Sequence, residues 1–89
     1  MLNPKEKTQF KKDLKTAIKR GKDLSTLKYV VIELVNERPL DPIYKDHPLV
    51  GNYKGDRECH IEPDWLLIYT VIGSDLILVR MGTHSDLYG

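Results

Sequence analysis

Four side chains in the C-terminal half of the chain are suited to acid–base chemistry: His47, His60, Asp64 and His84. The chain has no other histidine. Imidazole gains and loses a proton near neutral pH more readily than any other side chain. Histidines placed beside turns and predicted strand ends therefore indicate proton transfer or metal binding before they indicate a core.

Chain topology is expected to bring three of these four residues together. His60 and Asp64 lie on the two sides of one tight turn. The strand that ends before His84 is predicted to run antiparallel to the strand that begins after Asp64, so its end returns to the same place. His47 lies in a long loop, and spacing does not place it. Each residue also has an ordinary interpretation as a turn residue or a cross-strand partner.

Two kinds of site fit this set. One performs general acid–base catalysis with two groups near neutral pKa and a third that orients them. The other is a metal site of histidines and a carboxylate. Spacings such as His-Glu-x-x-His or Cys-x-x-Cys are absent. A side-chain nucleophile is also weakly supported, because Cys59 is predicted to face the core and Ser85 has no evident base.

Cationic and aromatic side chains near these residues suggest a nucleic-acid substrate. Arg57 and Arg80 fall at or near predicted strand ends, and guanidinium suits bidentate recognition of phosphate. A salt bridge with a nearby acid is the alternative for each. The rings of Trp65 and Tyr88 could stack on a nucleobase. A buried position is the commoner one for Trp65.

The composition describes one soluble domain, residues 1–89. It is 40% hydrophobic and 30% charged, with no low-complexity tract. The single cysteine excludes an internal disulfide. The longest apolar run, residues 65–69, is far below the ~20 residues of a membrane helix. The start of the chain lacks the apolar core of a signal peptide. We therefore expect a cytoplasmic protein with no membrane contact.

Charge is unevenly distributed along the chain. Residues 1–28 hold nine basic and three acidic side chains, a net charge of +6, and the remainder carries −5. A basic segment can bind a polyanion such as RNA. It can equally be the solvated face of a helix.

The first third of the chain is predicted to form two helices. Residues 5–20 carry an apolar stripe, and Gly21 suits the end of that helix. A second helix, capped by Asp23, should stop near Asn36 because Pro39 disfavours helical geometry before it. The short connection predicts an antiparallel helical hairpin. The residues of the first stripe are Phe10, Leu14, Ala17 and Ile18.

The remainder is predicted to be a loop followed by strands. In the strand 57–62 alternation puts Cys59 in the core and Glu58, His60 and Glu62 on the other face. The result is an α+β fold in which the helical hairpin packs on one face of a small, mainly antiparallel sheet. The expected segments are a loop over 38–55 with a short strand near 51–54, strands over 57–62, 65–72 and 76–81, and a tail over 84–89.

Four segments, in this order and spacing, carry a family resemblance. They resemble the YafQ-type toxins of bacterial toxin–antitoxin systems, in the RelE/ParE superfamily. The likeness continues weakly through the lysine-rich first helix and so covers nearly the whole chain. The segments are Lys45-Asp46-His47-Pro48-Leu49, Gly51-Asn52-Tyr53-Lys54-Gly55, residues 57–69 and residues 80–88.

The resemblance implies a compact RelE-like toxin that cleaves mRNA, typically at the ribosome, without a metal or other cofactor. It implies inhibition by a cognate antitoxin, commonly of the DinJ/RelB type. Family members usually open with a strand, whereas here only four residues, Pro4 among them, precede the predicted helix. The first strand is therefore expected to be short or absent. The catalytic set that the family implies is His47, His60, Asp64 and His84, with Arg80 at the phosphate, Trp65 nearby and Tyr88 where the family commonly has Phe.

The hypothesis for the reaction is metal-free cleavage of RNA through the ribose 2′-OH. One histidine would remove the 2′-OH proton and another would protonate the leaving 5′-oxygen. Arg80, with Arg57 or Lys54, would stabilise charge on the phosphate. Asp64 would transfer a proton or orient an imidazole. The alternatives are a non-catalytic RNA- or protein-binding module, a metal-dependent hydrolase, and a relative that poisons another target such as gyrase.

Overall fold

A computed structural model describes residues 1–89 as five strands and three α-helices. Two 3₁₀ turns, Pro42–Tyr44 and Gly51–Tyr53, divide the long loop. The other elements are β1 (Asn3–Glu6), α1 (Thr8–Lys19), α2 (Ser25–Val35), β2 (His47–Pro48), β3 (Arg57–Glu62), β4 (Trp65–Ile72), β5 (Asp75–Gly82) and α3 (His84–Tyr88).

The strands form a single mixed sheet in the order β1-β5-β4-β3-β2. β1 pairs with β5 in parallel, and every other pair is antiparallel. The hairpins β3–β4 and β4–β5 follow each other directly along the chain, as the apolar runs and turn residues predicted. The predicted α+β class is confirmed.

The helices α1 and α2 cover one face of the sheet. Their buried residues include Phe10, Ala17, Leu27 and Val30, which pack in one cluster with strand residues such as Leu67. The apolar stripe of α1 thus faces the sheet, except that Ile18 is 57% exposed. The antiparallel arrangement of the two helices stays a prediction.

The C-terminal residues form a helix on the opposite face, so the predicted tail is wrong. Thr83 begins α3 with a capping box: its side chain accepts from the Asp86 amide, and Asp86 accepts from the Thr83 amide. Leu87 of this helix packs with Leu66 and Ile68 of β4. The two reciprocal hydrogen bonds therefore fix the first turn of the helix, and the buried Leu87 packs it against the sheet.

Two further expectations about strands are resolved by the structure. β1 is short, which was one of the two predicted outcomes. Pro4 has no N–H, but it is tolerated because the amides of Asn3 and Lys7 donate to the carbonyl oxygens of Ser74 and Leu78. The predicted strand near 51–54 is wrong, since Gly51–Tyr53 is a 3₁₀ turn. The strand in the loop is instead β2, which pairs His47 with Glu58. No helix in the structure combines the length and apolar character needed to cross a bilayer.

Candidate active site

The three histidines lie in one row with two tyrosines. Ring centroids are 6.1 Å apart for His47 and His60, and 6.0 Å for His60 and His84. The row continues from His84 to Tyr88 at 6.1 Å and from Tyr88 to Tyr53 at 5.8 Å. All of the chain's imidazoles are therefore in one place, between the two tyrosines and the β2 edge of the sheet.

Four different elements supply this row. His60 projects from β3, His84 is the first residue of α3, and Tyr88 is the last. The predicted convergence of His60, Asp64 and His84 is observed. His47, which spacing could not place, joins them because β2 pairs with β3.

Asp64 fixes the orientation of His84. One carboxylate oxygen accepts from the His84 backbone amide at 3.0 Å and from ring Nδ1 at 2.8 Å. These two hydrogen bonds lower the pKa of Asp64, the backbone bond most strongly. With Nδ1–H engaged, the neutral ring presents Nε2 to the row as its proton-accepting atom. Both side chains are more than half exposed, so the contact orients the ring more than it stabilises the fold.

His47 is anchored in the same way. Its Nδ1 lies 2.5 Å from the carbonyl oxygen of Lys45. That contact again leaves Nε2 as the atom that gains or loses a proton. Nε2 lies 3.4 Å from a carboxylate oxygen of Glu58.

Glu58 is the site residue that the sequence did not reveal. Only 4% of it is exposed, and it is the one charged residue in the buried set. Its carboxylate lies 3.7 Å from His60 Nε2, and it accepts a hydrogen bond from the Tyr88 hydroxyl. Alternation along β3 did put Glu58 on the face of His60, but the cover over it comes from α3, which was predicted to be a tail.

The Tyr88 hydroxyl contacts Glu58. Burial, followed by the hydrogen bond to Glu58, raises the pKa of Tyr88 above its ordinary value. The residue as a whole remains 48% exposed, and its ring lies beside that of His84. Tyr88 thus donates a hydrogen bond at one end and offers a ring face for stacking at the other.

Three of these groups could hold a metal ion. His47, Glu58 and His60 each offer one ligand atom, and the three atoms lie within 4.8 Å of one another. Imidazole and carboxylate ligands suit zinc and copper.

The arginines are less available than predicted. Arg57 donates from Nε to Asp46 at 3.2 Å, and the Tyr69 hydroxyl donates to the same oxygen at 2.7 Å. Tyr69 belongs to the helix-side core, so this arginine points away from the histidine row. The prediction that Arg57 contacts substrate therefore finds no support in its position. Lys54, by contrast, is exposed and forms no ion pair.

Arg80 is nearer to the row but is held by an acid. Its Nε and Nη2 donate to the two carboxylate oxygens of Asp13, each at 3.1 Å. These bonds raise the pKa of Arg80, and Tyr53 acts in the same direction. Tyr53 is also the end of the ring row, which connects Arg80 to the site.

Trp65 is buried in the core and cannot stack on a base in this structure. It is 2% exposed within the helix-side cluster. Lys22 Nζ lies 5.2 Å from its ring centroid and forms an ion pair with Glu62 at 3.0 Å. Glu62 was predicted to share the face of His60. The β3–β4 register shifts between His60 and Glu62, and Glu62 pairs with Lys22 instead. Cys59 faces the core as predicted, and burial raises its pKa to about 12.

Comparison with known proteins identifies the family. Residues 2–89 match the family described as bacterial toxin of type II toxin–antitoxin system, YafQ. The chain belongs to this family. It is 50% identical over 82 residues to the mRNA interferase toxin YafQ of Escherichia coli K12, which is 91% of this chain and 89% of that protein. The resemblance read from the four sequence segments is therefore confirmed.

Solved structures of similar toxins share the whole fold. The E. coli DinJ–YafQ complex matches with a TM-score of 0.92 at 46% identity, covering 100% of both chains. A copper-bound mutant toxin from Helicobacter pylori matches with a TM-score of 0.95 at 44% identity, covering 99% of this chain and 100% of that one. One relative is thus a toxin bound to its antitoxin, and another is a toxin that holds a metal.

Proposed function

We propose that this YafQ-family toxin is an mRNA interferase that cuts its substrate without a metal. The ribose 2′-oxygen attacks the adjacent phosphorus, a 2′-O–P bond forms and the P–O5′ bond breaks. The products are a 2′,3′-cyclic phosphate and a 5′-hydroxyl. The observation that carries the proposal is the single row of His47, His60 and His84, with a carboxylate in contact with each histidine.

Two imidazoles of this row exchange the protons of the reaction. One accepts the 2′-OH proton, and another donates a proton to the leaving 5′-oxygen. Asp64 holds His84 with Nε2 free, and Glu58 stabilises the imidazolium form of His47 or His60 as each takes a proton. Proton transfer by a positioned group of this kind accelerates a reaction roughly 10²- to 10⁴-fold.

Substrate binding follows from the groups around the row. The free edge of Arg80 and the exposed Lys54 contact the phosphate, and the half-exposed ring of Tyr88 stacks on a base. The lysines of α1 attract the polyanion by salt-sensitive electrostatics. Trp65 and Arg57 have no direct part.

The biological setting of the proposal comes from the relatives. An E. coli relative is named an mRNA interferase and another forms a complex with DinJ. We infer that this toxin cleaves messages during translation at the ribosome, in the cytoplasm, and is inhibited by a DinJ-type antitoxin.

The test is induced expression of wild type and His84→Ala, with growth measurement and mapping of message ends. Wild type should arrest growth and leave 5′-hydroxyl ends, whereas His84→Ala should do neither. Ser85→Ala is the matched control, because Ser85 is exposed on the same helix and its side chain forms no hydrogen bond. A His84→Ala protein that cleaves messages at the wild-type rate would overturn the assignment.

Assays with purified protein distinguish the metal-free nuclease from a metal-dependent hydrolase and from a non-catalytic binding module. Stripping the purified toxin with EDTA, and removing the chelator before the toxin enters a translating extract, should leave cleavage unchanged, whereas a zinc-dependent hydrolase would lose activity and regain it with added Zn²⁺. A non-catalytic binding module would retain RNA without cutting it. Growth arrest with intact messages would point to another target.

A further inference from the structure

Asp13 is an acid on a basic helix, and its side chain is mostly buried. It is the only acidic residue of α1, and its side chain is 10% exposed. The carboxylate accepts four hydrogen bonds: from Gln9 Nε2 at 3.1 Å, from Arg80 Nε and Nη2 at 3.1 Å each, and from the Met81 amide at 3.0 Å. Burying a carboxylate this far is costly unless its oxygens are fully bonded, as they are here.

The contact lies where β5 departs from regular pairing. The β4–β5 register shifts so that Ile68 faces Arg80 while Tyr69 faces Leu78. Val79 is the extra residue of this bulge. Bulges redirect side chains. Asp13 bonds to both the guanidinium and the next backbone amide, so it fixes how the bulge turns Arg80.

Asp13 occupies only one edge of the guanidinium. Nε and Nη2 are engaged, and Arg80 has no second carboxylate partner. A guanidinium has five N–H donors, so the Nη1 edge keeps donors for a phosphate. Tyr53 lies beside Arg80 and packs edge-on against Tyr88, the neighbour of His84.

We propose that Asp13 is a positioning residue for RNA cleavage, which holds Arg80 so that its free N–H edge meets the scissile phosphate. The proposal rests on the nuclease function proposed above. Asp13 touches no substrate and acts only through Arg80.

A double-mutant cycle tests this dependence. Asp13→Asn keeps the shape and can still accept from the Met81 amide, but it loses the charge that orients the arginine. Its cleavage rate should fall about 10- to 100-fold, as expected for a misplaced catalytic group. Arg80→Ala should lose at least as much, and adding Asp13→Asn to it should cost no more. Independent, multiplying losses would overturn the proposal.

Guanidinium rescue provides a readout that a merely structural role would not affect. Millimolar guanidinium should restore part of the activity of Arg80→Ala, because Asp13 holds the added cation in the vacated place. The Asp13→Asn, Arg80→Ala protein should not be rescued. Equal rescue of both proteins, or rescue of neither, would overturn the proposal. Rescue of Arg80→Ala is measured in a protein that keeps Asp13, so this part of the test does not require Asp13→Asn to fold.

Glu33→Gln is the matched control. Glu33 is also an acid with a mostly buried side chain paired to an arginine, with Arg38 Nη2 at 2.6 Å, but it lies on α2. Its loss should leave cleavage unchanged. If wild type cleaves, His84→Ala does not and Asp13→Asn equals wild type, the role of Asp13 alone is wrong. If His84→Ala cleaves as wild type does, the nuclease assignment is wrong and this inference is overturned with it.

Discussion

The Tyr88 hydroxyl donates a hydrogen bond to the buried carboxylate of Glu58. This contact joins the last residue of α3 to β3, beside His60 of the histidine row.

Removing that hydroxyl should cost stability but little activity. Tyr88→Phe keeps the ring for stacking, so the cleavage rate should stay within a few-fold of wild type. Glu58 loses a partner while buried, and the free energy of unfolding should fall by roughly 1–3 kcal/mol. Urea unfolding at neutral pH measures this. Tyr29→Phe is the control, since its hydroxyl donates to Glu33 at 3.4 Å on the surface. A Tyr88→Phe protein as stable as wild type would contradict the prediction.

Asp64→Asn should impair the orientation of the His84 ring without unfolding the protein. Both bonds go to one oxygen of Asp64. The neutral amide oxygen accepts more weakly and lacks the charge that stabilises the imidazolium, and the amide can also turn an N–H donor toward Nδ1, so the ring loses its fixed tautomer. We expect the cleavage rate to fall roughly 10²-fold or more with the fold intact. Single-turnover cleavage and nitrogen NMR of the His84 ring are the measurements.

The control for this variant is Asp23→Asn. Asp23 also accepts a backbone amide, from Ser25 at 2.9 Å, but it lies between α1 and α2. Equal activity of Asp64→Asn and Asp23→Asn would mean that His84 needs no orienting partner.

Acid should weaken the attachment of α3. Hydrogen bonding to Arg20, then to the Thr83 amide, lowers the pKa of Asp86 far below its ordinary value of 3.8. Because the folded-state pKa is the lower one, the stabilisation is complete above the ordinary value and is lost as pH falls below it. The free-energy difference between wild type and Asp86→Asn, about 1 kcal/mol near neutral pH, should shrink between about pH 4 and about pH 2.

Thermal unfolding across that pH range tests the Asp86 prediction. Asp75→Asn is the control, because the Asp75 side chain, half-buried at the start of β5, takes part in no hydrogen bond or ion pair. A constant Asp86→Asn difference would show that the Arg20 contact does not form in solution.

Zinc should inhibit the toxin. An ion bound by His47, Glu58 and His60 would occupy the nitrogens that must exchange protons. Added Zn²⁺ should therefore stop cleavage, and EDTA should restore it. Calorimetry should show weaker zinc binding to Glu58→Gln than to wild type, and unchanged binding to Glu62→Gln, whose acid is paired with Lys22 instead. Unaltered binding to Glu58→Gln would exclude this ligand set.

The sequence predicted most of the fold because the decisive patterns are local. The β3–β4–β5 meander follows from apolar runs and turn residues, and it alone brings His60, Asp64 and His84 together. The resemblance to YafQ toxins rests on the same segments. Helix stripes and their stop signals gave α1 and α2 within a few residues.

What the sequence did not predict depends on distant partners. β2 exists only because His47 pairs with Glu58 across a loop, and Glu58 is buried only because α3 folds over it. The orientation of Arg80 depends on an acid 67 positions away, within a run of lysines. No pattern of neighbouring residues predicts contacts between positions so far apart in the sequence.

The parallel pairing of β1 with β5 has a consequence for the order of folding. Asn3 hydrogen-bonds to Ser74, and its pairing partner is Asp75. The meander of β3, β4 and β5 can form from strands that are neighbours in sequence. The pairing of β1 with β5 should form later, because it closes a loop of nearly the whole chain and the closure of so long a loop is entropically slow. Amide exchange at Lys7, whose N–H bonds to Leu78, would report that late step.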